Sequence, residues 1–66
     1  MSISTSIKVG LAKSGLTMGE LASSIGVSRE TVSVWCNDHN LPNYKHVEAM
    51  SELFGVSVSE FIKWGE

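Results

Sequence analysis

The stretch MGELASSIGVSRETVSVWCN, residues 18–37, predicts two short helices joined by a tight turn. Five apolar residues recur at the spacing of a helix face, three in the first helix and two in the second: Leu21, Ala22, Ile25, Val32 and Trp35. Gly26 lies between the two helices, where a left-handed residue ends the first of them. Because a side chain larger than the methyl group of Ala22 would hold the helices apart, the stretch also predicts a close helix crossing.

Four predicted helix starts share one local pattern, a polar cap residue preceded by an apolar one. The four predicted caps are Thr17, Ser28, Asn43 and Ser57. Glu20 and Glu60 each follow a cap by three residues, which is the spacing of a capping box. We therefore expect helices to begin just after these four positions.

Helix ends are predicted at glycines that suit a left-handed cap, namely Gly15, Gly26 and Gly55. A further N-terminal helix is expected over about Ser4 to Ser14, weakened by Gly10. No alternation of period two is long enough for a strand. The predicted fold class is all-α, with five helices and one longer connection from Asn37 to Asn43.

The predicted core collects the apolar residues at helical spacing. It comprises Ile7, Leu11, Leu16, Leu21, Ala22, Ile25, Val27, Val32, Trp35, Val47, Met50, Leu53, Phe54, Val56, Phe61 and Ile62.

Composition narrows the class of protein. Sixty-six residues predict one domain, 1–66, and the apolar fraction of 42% is typical of a globular core. The sequence contains no run of about 20 apolar residues, the length that a membrane span needs. The N-terminus MSISTSIKVG also lacks the features of an export signal, so a cytoplasmic location is expected. A single cysteine cannot form an internal disulfide. The sequence has no Cys/His cluster at ligand spacing, so no metal or other cofactor is expected.

The combination of Leu21, Ala22, Gly26, Val27, Val32 and Trp35 resembles the helix-turn-helix family of phage Cro and repressor N-terminal domains. The resemblance extends from GLTMGELASSIGVSRETVSVW through LPNYKHVEAMSELFGVSVSEFIKWG. It implies a compact five-helix, lambda-repressor-like domain with the motif at residues 18–37. In that family the second helix of the motif lies in the major groove of DNA, which implies that residues 28–37 form the recognition helix.

Residues that face outward on this helix are the candidate base readers: Arg29, Glu30, Ser33 and Val34. An arginine can pair with guanine O6 and N7, a glutamate can accept from a cytosine amino group, and a valine can pack on a thymine methyl. The alternative is an ordinary solvated helix face, on which Arg29 and Glu30 only serve the start of the helix, where the dipole favours a carboxylate.

Candidate contacts to the DNA backbone lie at the cap and in the loop that the family lays along the phosphates. They are Ser28, Asn37, His39, Asn40, Asn43, Tyr44 and Lys45. Each has a simpler alternative, since Asn43 is a helix cap in any case, and His39 and His46 are equally compatible with plain surface positions.

Two departures from the family pattern stand out. Its motif often begins with a glutamine that bonds to phosphate, whereas this chain has Met18. Many members pair an arginine in the first helix with an acidic residue late in the recognition helix, whereas the matching positions here are Leu11 and Cys36. Because an apolar pair can replace a buried ion pair without loss of stability, we expect Leu11 and Cys36 to touch and Cys36 to fill the core.

The net charge of −2 is unusual for a nucleic-acid binder. Residues 1–45 hold four basic against three acidic side chains, whereas residues 46–66 hold one against four. The acidic excess therefore falls on the last two helices, which mostly face away from DNA in the family. Few cationic contacts predict a shallow salt dependence of binding.

A domain of this size reads only a few base pairs, so two copies on adjacent half-sites are expected. Trp64 is either the last core contact or an anchor of the dimer interface, and we expect a weak homodimer that tightens on DNA. No catalytic constellation is recognisable, and no small-molecule ligand is expected.

The sequence thus predicts a DNA-binding transcriptional regulator, Cro-like or repressor-like, that acts by promoter occlusion. The alternative is a protein-binding module of the same fold, such as an antitoxin or adaptor, which the acidic helices and Met18 would favour.

Overall fold

Five α-helices follow one another in residues 2–66, the part of the chain that the computed structural model describes. They are α1 (Ile3–Ser14), α2 (Met18–Ile25), α3 (Arg29–Cys36), α4 (Tyr44–Leu53) and α5 (Val58–Lys63). No strand occurs among these residues, so the predicted all-α class is confirmed. The expected N-terminal helix is present and begins one residue earlier than predicted.

The predicted caps start four of the helices. Side-chain oxygens of Thr17, Ser28, Asn43 and Ser57 each accept a hydrogen bond from the backbone N–H three residues later. At Thr17 the capping box is complete, because its own N–H donates to Glu20 Oε1 at 2.9 Å. The box predicted at Ser57 is only half formed: the N–H of Glu60 donates to the Ser57 hydroxyl at 3.1 Å, and no return bond is made. Glu60 is exposed, so water solvates its carboxylate instead.

The core takes one fully buried side chain from each helix: Ile7, Leu21, Val32, Met50 and Phe61. Ala22, Trp35, Cys36 and Val47 complete the buried cluster. Burial removes most of these apolar surfaces from water, which is the main driving force for the packing of five short helices.

Predicted core residues outside this cluster divide into two groups. Seven are half-buried rather than buried: Leu11, Leu16, Ile25, Val27, Phe54, Val56 and Ile62. Leu53 was predicted wrongly, since it is 39% exposed. The inward face of α4 is set by Val47, Met50 and Ser51, and Leu53 falls outside that arc.

The sequence prediction also omitted apolar residues that pack against the core. Ile3, Met18 and Val58 are half-buried there. Met18 therefore has a packing role at the start of α2, which accounts for an apolar residue at that exposed-looking position.

The two ends of the described chain meet. The N–H of Ser2 donates to the carbonyl of Gly65 at 3.0 Å, and the Ser6 hydroxyl donates to the carbonyl of Ile62 at 3.4 Å. Gly65 is buried, and a β-carbon there would lie 2.7 Å from Ser6 Oγ. Helix α5 thus closes over the first turn of α1 with no room for a side chain at the contact.

Trp64 lies in an aromatic cluster beside this closure. Its ring centroid is 5.9 Å from that of Phe61 and 6.0 Å from that of Phe54, and Lys13 Nζ lies 5.7 Å from its centroid. Trp64 is half-buried and packs against the core. The core-contact alternative is therefore realised, and a dimer contact would have to use the remaining exposed part of the ring.

None of the helices in residues 2–66 has the length and apolar character needed to cross a membrane.

Candidate nucleic-acid interface

The turn between α2 and α3 is built around Gly26. Its φ of 78° is left-handed, and its N–H donates to the carbonyl of Ala22, as does the N–H of Val27 at 3.0 Å. Both bonds go to this one carbonyl in the last turn of α2, where the chain reverses. Ala22 is 2% exposed, as expected for a small residue inside the domain, and a helix crossing at Ala22 stays a prediction.

Helix α3 has one buried and one outward face. Val32, Trp35 and Cys36 are buried. The four candidate base readers lie outside this buried face, with Arg29, Glu30 and Val34 exposed and Ser33 half-buried. Positions 29, 30, 33 and 34 follow the i, i+4 spacing of one helix face, so the structure brings these side chains together on a single surface.

Arg29 does not project freely from the start of α3. Its Cδ is the atom nearest to the position that a β-carbon would take on Gly19, at 3.8 Å. Gly19 is the second residue of α2. Arg29 Cδ therefore lies near the first turn of α2, a proximity that sequence reasoning missed.

Ser28 is occupied by its capping role. Its hydroxyl oxygen accepts from the N–H of Thr31 at 3.2 Å and lies 2.8 Å from Thr31 Oγ1. Both hydroxyls are at the N-terminal end of α3, where the helix dipole favours an anion.

The connection after α3 leaves the helix through a left-handed residue, Asp38, with φ 59°. Asn37 Nδ2 donates to the carbonyl of Ser33 at 2.9 Å, which satisfies a carbonyl in the last turn of α3. Ser2 Oγ lies 3.5 Å from Asp38 Oδ1, so the acidic side chain of the loop faces the N-terminus of the chain.

The remaining backbone candidates are exposed along the loop and the first turn of α4: His39, Asn40, Asn43, Tyr44 and Lys45. Asn40 Oδ1 accepts from the N–H of Leu41 at 2.9 Å, and Asn43 Oδ1 accepts from the N–H of His46 at 3.0 Å. The side-chain oxygens of both amides are thus used by the backbone, and their NH₂ groups, which make no hydrogen bond within residues 2–66, remain able to donate to an acceptor such as phosphate.

His46 differs from the plain surface group that the sequence suggested. It is half-buried, its ring centroid lies 5.2 Å from that of Trp35, and the buried Nδ1 has no hydrogen-bond partner within residues 2–66. The contact joins α4 to the buried face of α3. Its position four residues before the inward-facing Met50, on the same helix face, was the available signal.

Cys36 is buried, as predicted for a core residue. Burial raises the pKa of the Cys36 thiol, and the charge of Lys8 offsets part of that rise. The thiol is therefore neutral near pH 7 and unsuited to nucleophilic or redox chemistry. Leu11 is half-buried against the same cluster, and its direct contact with Cys36 stays a prediction.

Within residues 2–66, the His, Cys, Asp and Glu side chains form no group of three or more that could bind a metal ion.

Two short helices, a left-handed glycine in the turn between them and an exposed face on the second helix define a helix-turn-helix domain. The helix-turn-helix family model matches residues 7–61, and the chain belongs to this family. Among solved structures, it is similar to the DNA-binding domain (residues 1–76) of the P22 C2 repressor, determined by nuclear magnetic resonance. The TM-score is 0.87 at 22% sequence identity, over 96% of this chain and 83% of that one. A comparison with curated proteins finds no match.

Proposed function

We propose that this protein is a sequence-specific regulator of transcription that binds double-stranded DNA through α3. The observation that carries the proposal is the outward face of α3, on which Arg29, Glu30, Ser33 and Val34 are presented by a helix that Val32 and Trp35 fix in the core. A helix of this kind fits the major groove, where every base pair has its own pattern of donors and acceptors. Family membership and the fold of the P22 C2 repressor's DNA-binding domain support the same assignment.

The side chains of this face suit different base edges. The guanidinium of Arg29 can donate two parallel bonds to guanine, the carboxylate of Glu30 can accept from cytosine, and Ser33 can contact either kind of base edge. Val34, 36% exposed, can pack on a thymine methyl. Each good pair contributes about 1–3 kcal/mol of discrimination, so three or four of them suffice for a short half-site.

Neutral donors carry most of the backbone contacts in this proposal. Ser28 lies at the start of α3, and Asn37, His39, Asn40, Asn43 and Tyr44 continue along the loop to Lys45. Lys45 is the one cation within this set. Binding should therefore be less sensitive to salt than that of a strongly basic domain.

Two copies of the chain on adjacent half-sites would supply the affinity that one short helix lacks. We propose a weak homodimer that tightens on operator DNA, with the exposed part of Trp64 as a candidate contact. Occupation of a promoter by such a dimer would block transcription in the cytoplasm, in the manner of a Cro-like or repressor-like phage switch protein. The residues 1–66 act as one domain in this scheme.

The decisive experiment titrates the protein against fluorescent random duplex at low salt and then selects bound sequences from a random pool. Arg29→Ala should relax the preference at one base-pair position of each half-site, whereas Lys45→Ala should weaken binding to all sequences alike. Lys63→Ala, on α5, is the control with a matched loss of charge and should change neither. Absence of binding to any duplex, with Arg29→Ala silent, would replace this proposal by the rival one, a protein-binding antitoxin or adaptor.

A further inference from the structure

The first turn of α2 contains a glycine that the backbone does not require. Gly19 is helical, unlike the left-handed Gly15, Gly26 and Gly55. Glycine disfavours a helix relative to alanine, and a β-carbon at position 19 would find only ordinary contacts, 3.8 Å to Arg29 Cδ and 3.9 Å to Thr17 Oγ1. Neither backbone geometry nor a clash with a methyl group therefore accounts for the glycine.

Near Gly19 lies the Cδ of Arg29, the first residue of the recognition helix. Long cationic side chains commonly rest their methylene groups on neighbouring surface while the charged head stays in water. An arginine held in this way loses less rotamer freedom when its guanidinium binds a planar partner. The space beside Gly19 is thus available to the stem, and the size of that space limits the directions in which the guanidinium can project.

We propose that Gly19 is a positioning residue for base recognition, which directs Arg29 by leaving space for its aliphatic stem beside the first turn of α2. A methyl group at position 19 stays within ordinary contact distance of the stem and leaves this space open. A longer side chain occupies the space of the Arg29 stem and turns the guanidinium away from its base edge. The proposal rests on the function proposed above, in which Arg29 reads a base.

The test compares Gly19→Ala, Gly19→Leu, Arg29→Ala and the double variant Gly19→Leu/Arg29→Ala. Bound sequences are selected from a random duplex pool, and affinities are measured on the wild-type preferred site. Gly19→Ala should keep the wild-type preference and raise the melting temperature. Gly19→Leu should relax preference at the base-pair position that Arg29→Ala relaxes and weaken binding by about tenfold, which is a typical value for one base contact.

The double variant separates positioning from general damage. In the Arg29→Ala background, Gly19→Leu should change affinity less than about twofold, because the side chain that it redirects is absent. Gly19→Met, a flexible straight-chain residue of strong helix propensity, repeats the test should Gly19→Leu lower the melting temperature.

Three results overturn the inference. One is an unchanged preference in Gly19→Leu while Arg29→Ala relaxes a position, another is a change confined to other positions, and a third is an equal loss of affinity in both backgrounds. A wild-type chain without any base preference would instead overturn the proposed function, and this inference with it.

Discussion

Gly10 of α1 faces the ring of Phe54 so closely that a β-carbon on Gly10 would lie 2.7 Å from Phe54 Cδ2 and 2.8 Å from Cζ. The Phe54 ring is held in turn by Phe61 at a centroid distance of 5.8 Å and by Trp64 at 6.0 Å. A glycine that weakens α1 when considered alone is therefore what lets α1 approach the aromatic cluster. Its cost in helix propensity is offset by packing.

Gly10→Ala should accordingly destabilise the protein although alanine is the better helix former. The gain in propensity is about 1 kcal/mol, and overpacking against a held ring costs about 1–3 kcal/mol. Urea unfolding should show a net loss of about 1 kcal/mol. In a Phe54→Leu background the same substitution should become neutral or stabilising, and an equal effect in both backgrounds would contradict the explanation.

His46→Phe should leave stability unchanged or raise the free energy of unfolding by about 1 kcal/mol. It keeps an aromatic ring against Trp35 and removes the buried Nδ1 that lacks a partner within residues 2–66. His46→Ala should lower that free energy by about 1 kcal/mol, because it opens space beside the buried face of α3. His39→Ala, at an exposed position, is the control and should change it by less than about 0.5 kcal/mol.

The contribution of Cys36 to stability should be lost at alkaline pH. Burial raises the pKa of its thiol in the folded chain above the usual value of 9.0, so the folded state holds the proton more tightly than the unfolded state. The contribution is complete below pH 9.0 and declines as the pH rises through the folded pKa. Urea unfolding from pH 7 upward should therefore show a steeper alkaline loss for wild type than for Cys36→Ala. If the free energies of unfolding of the two proteins fell in parallel as the pH rises, this explanation would be wrong.

Lys45→Gln should reduce the salt dependence of DNA binding. Neutralisation of one phosphate contributes about −0.9 to the slope of log K against log salt, so loss of Lys45 should make the slope shallower by about that amount. Titrations at several salt concentrations measure it. Lys63→Gln removes the same charge from α5 and should leave the slope unchanged, and an identical change in both variants would point to net charge alone.

Sedimentation should detect monomers of the free chain at low micromolar concentration and two chains on a duplex with two half-sites. Trp64 has to serve the aromatic cluster of Phe54 and Phe61 as well as any partner, so only a small apolar area is available for self-association. Trp64→Phe keeps a ring in that cluster and should weaken the second binding step on DNA more than the first. A tight dimer at low concentration without DNA would contradict this expectation.

Local chemistry explains why so much of the fold could be predicted from the sequence. A cap hydroxyl bonds to an N–H three residues away, and a left-handed glycine needs only its own backbone, so Thr17, Ser28 and Gly26 act as predicted within a single turn. The outward set Arg29, Glu30 and Val34 follows from the same helical period that buries Val32. These features depend on neighbours in the sequence alone.

Contacts between helices distant in sequence were decided only by the tertiary structure. Gly10 looks like a flaw in α1 until Phe54 is placed against it. Leu53 is apolar, but it falls outside the arc of α4 that Val47, Met50 and Ser51 bury, and it is exposed. Sequence periodicity defines faces on each helix, whereas the steric fit between helices decides which parts of those faces are covered and where a missing side chain is required.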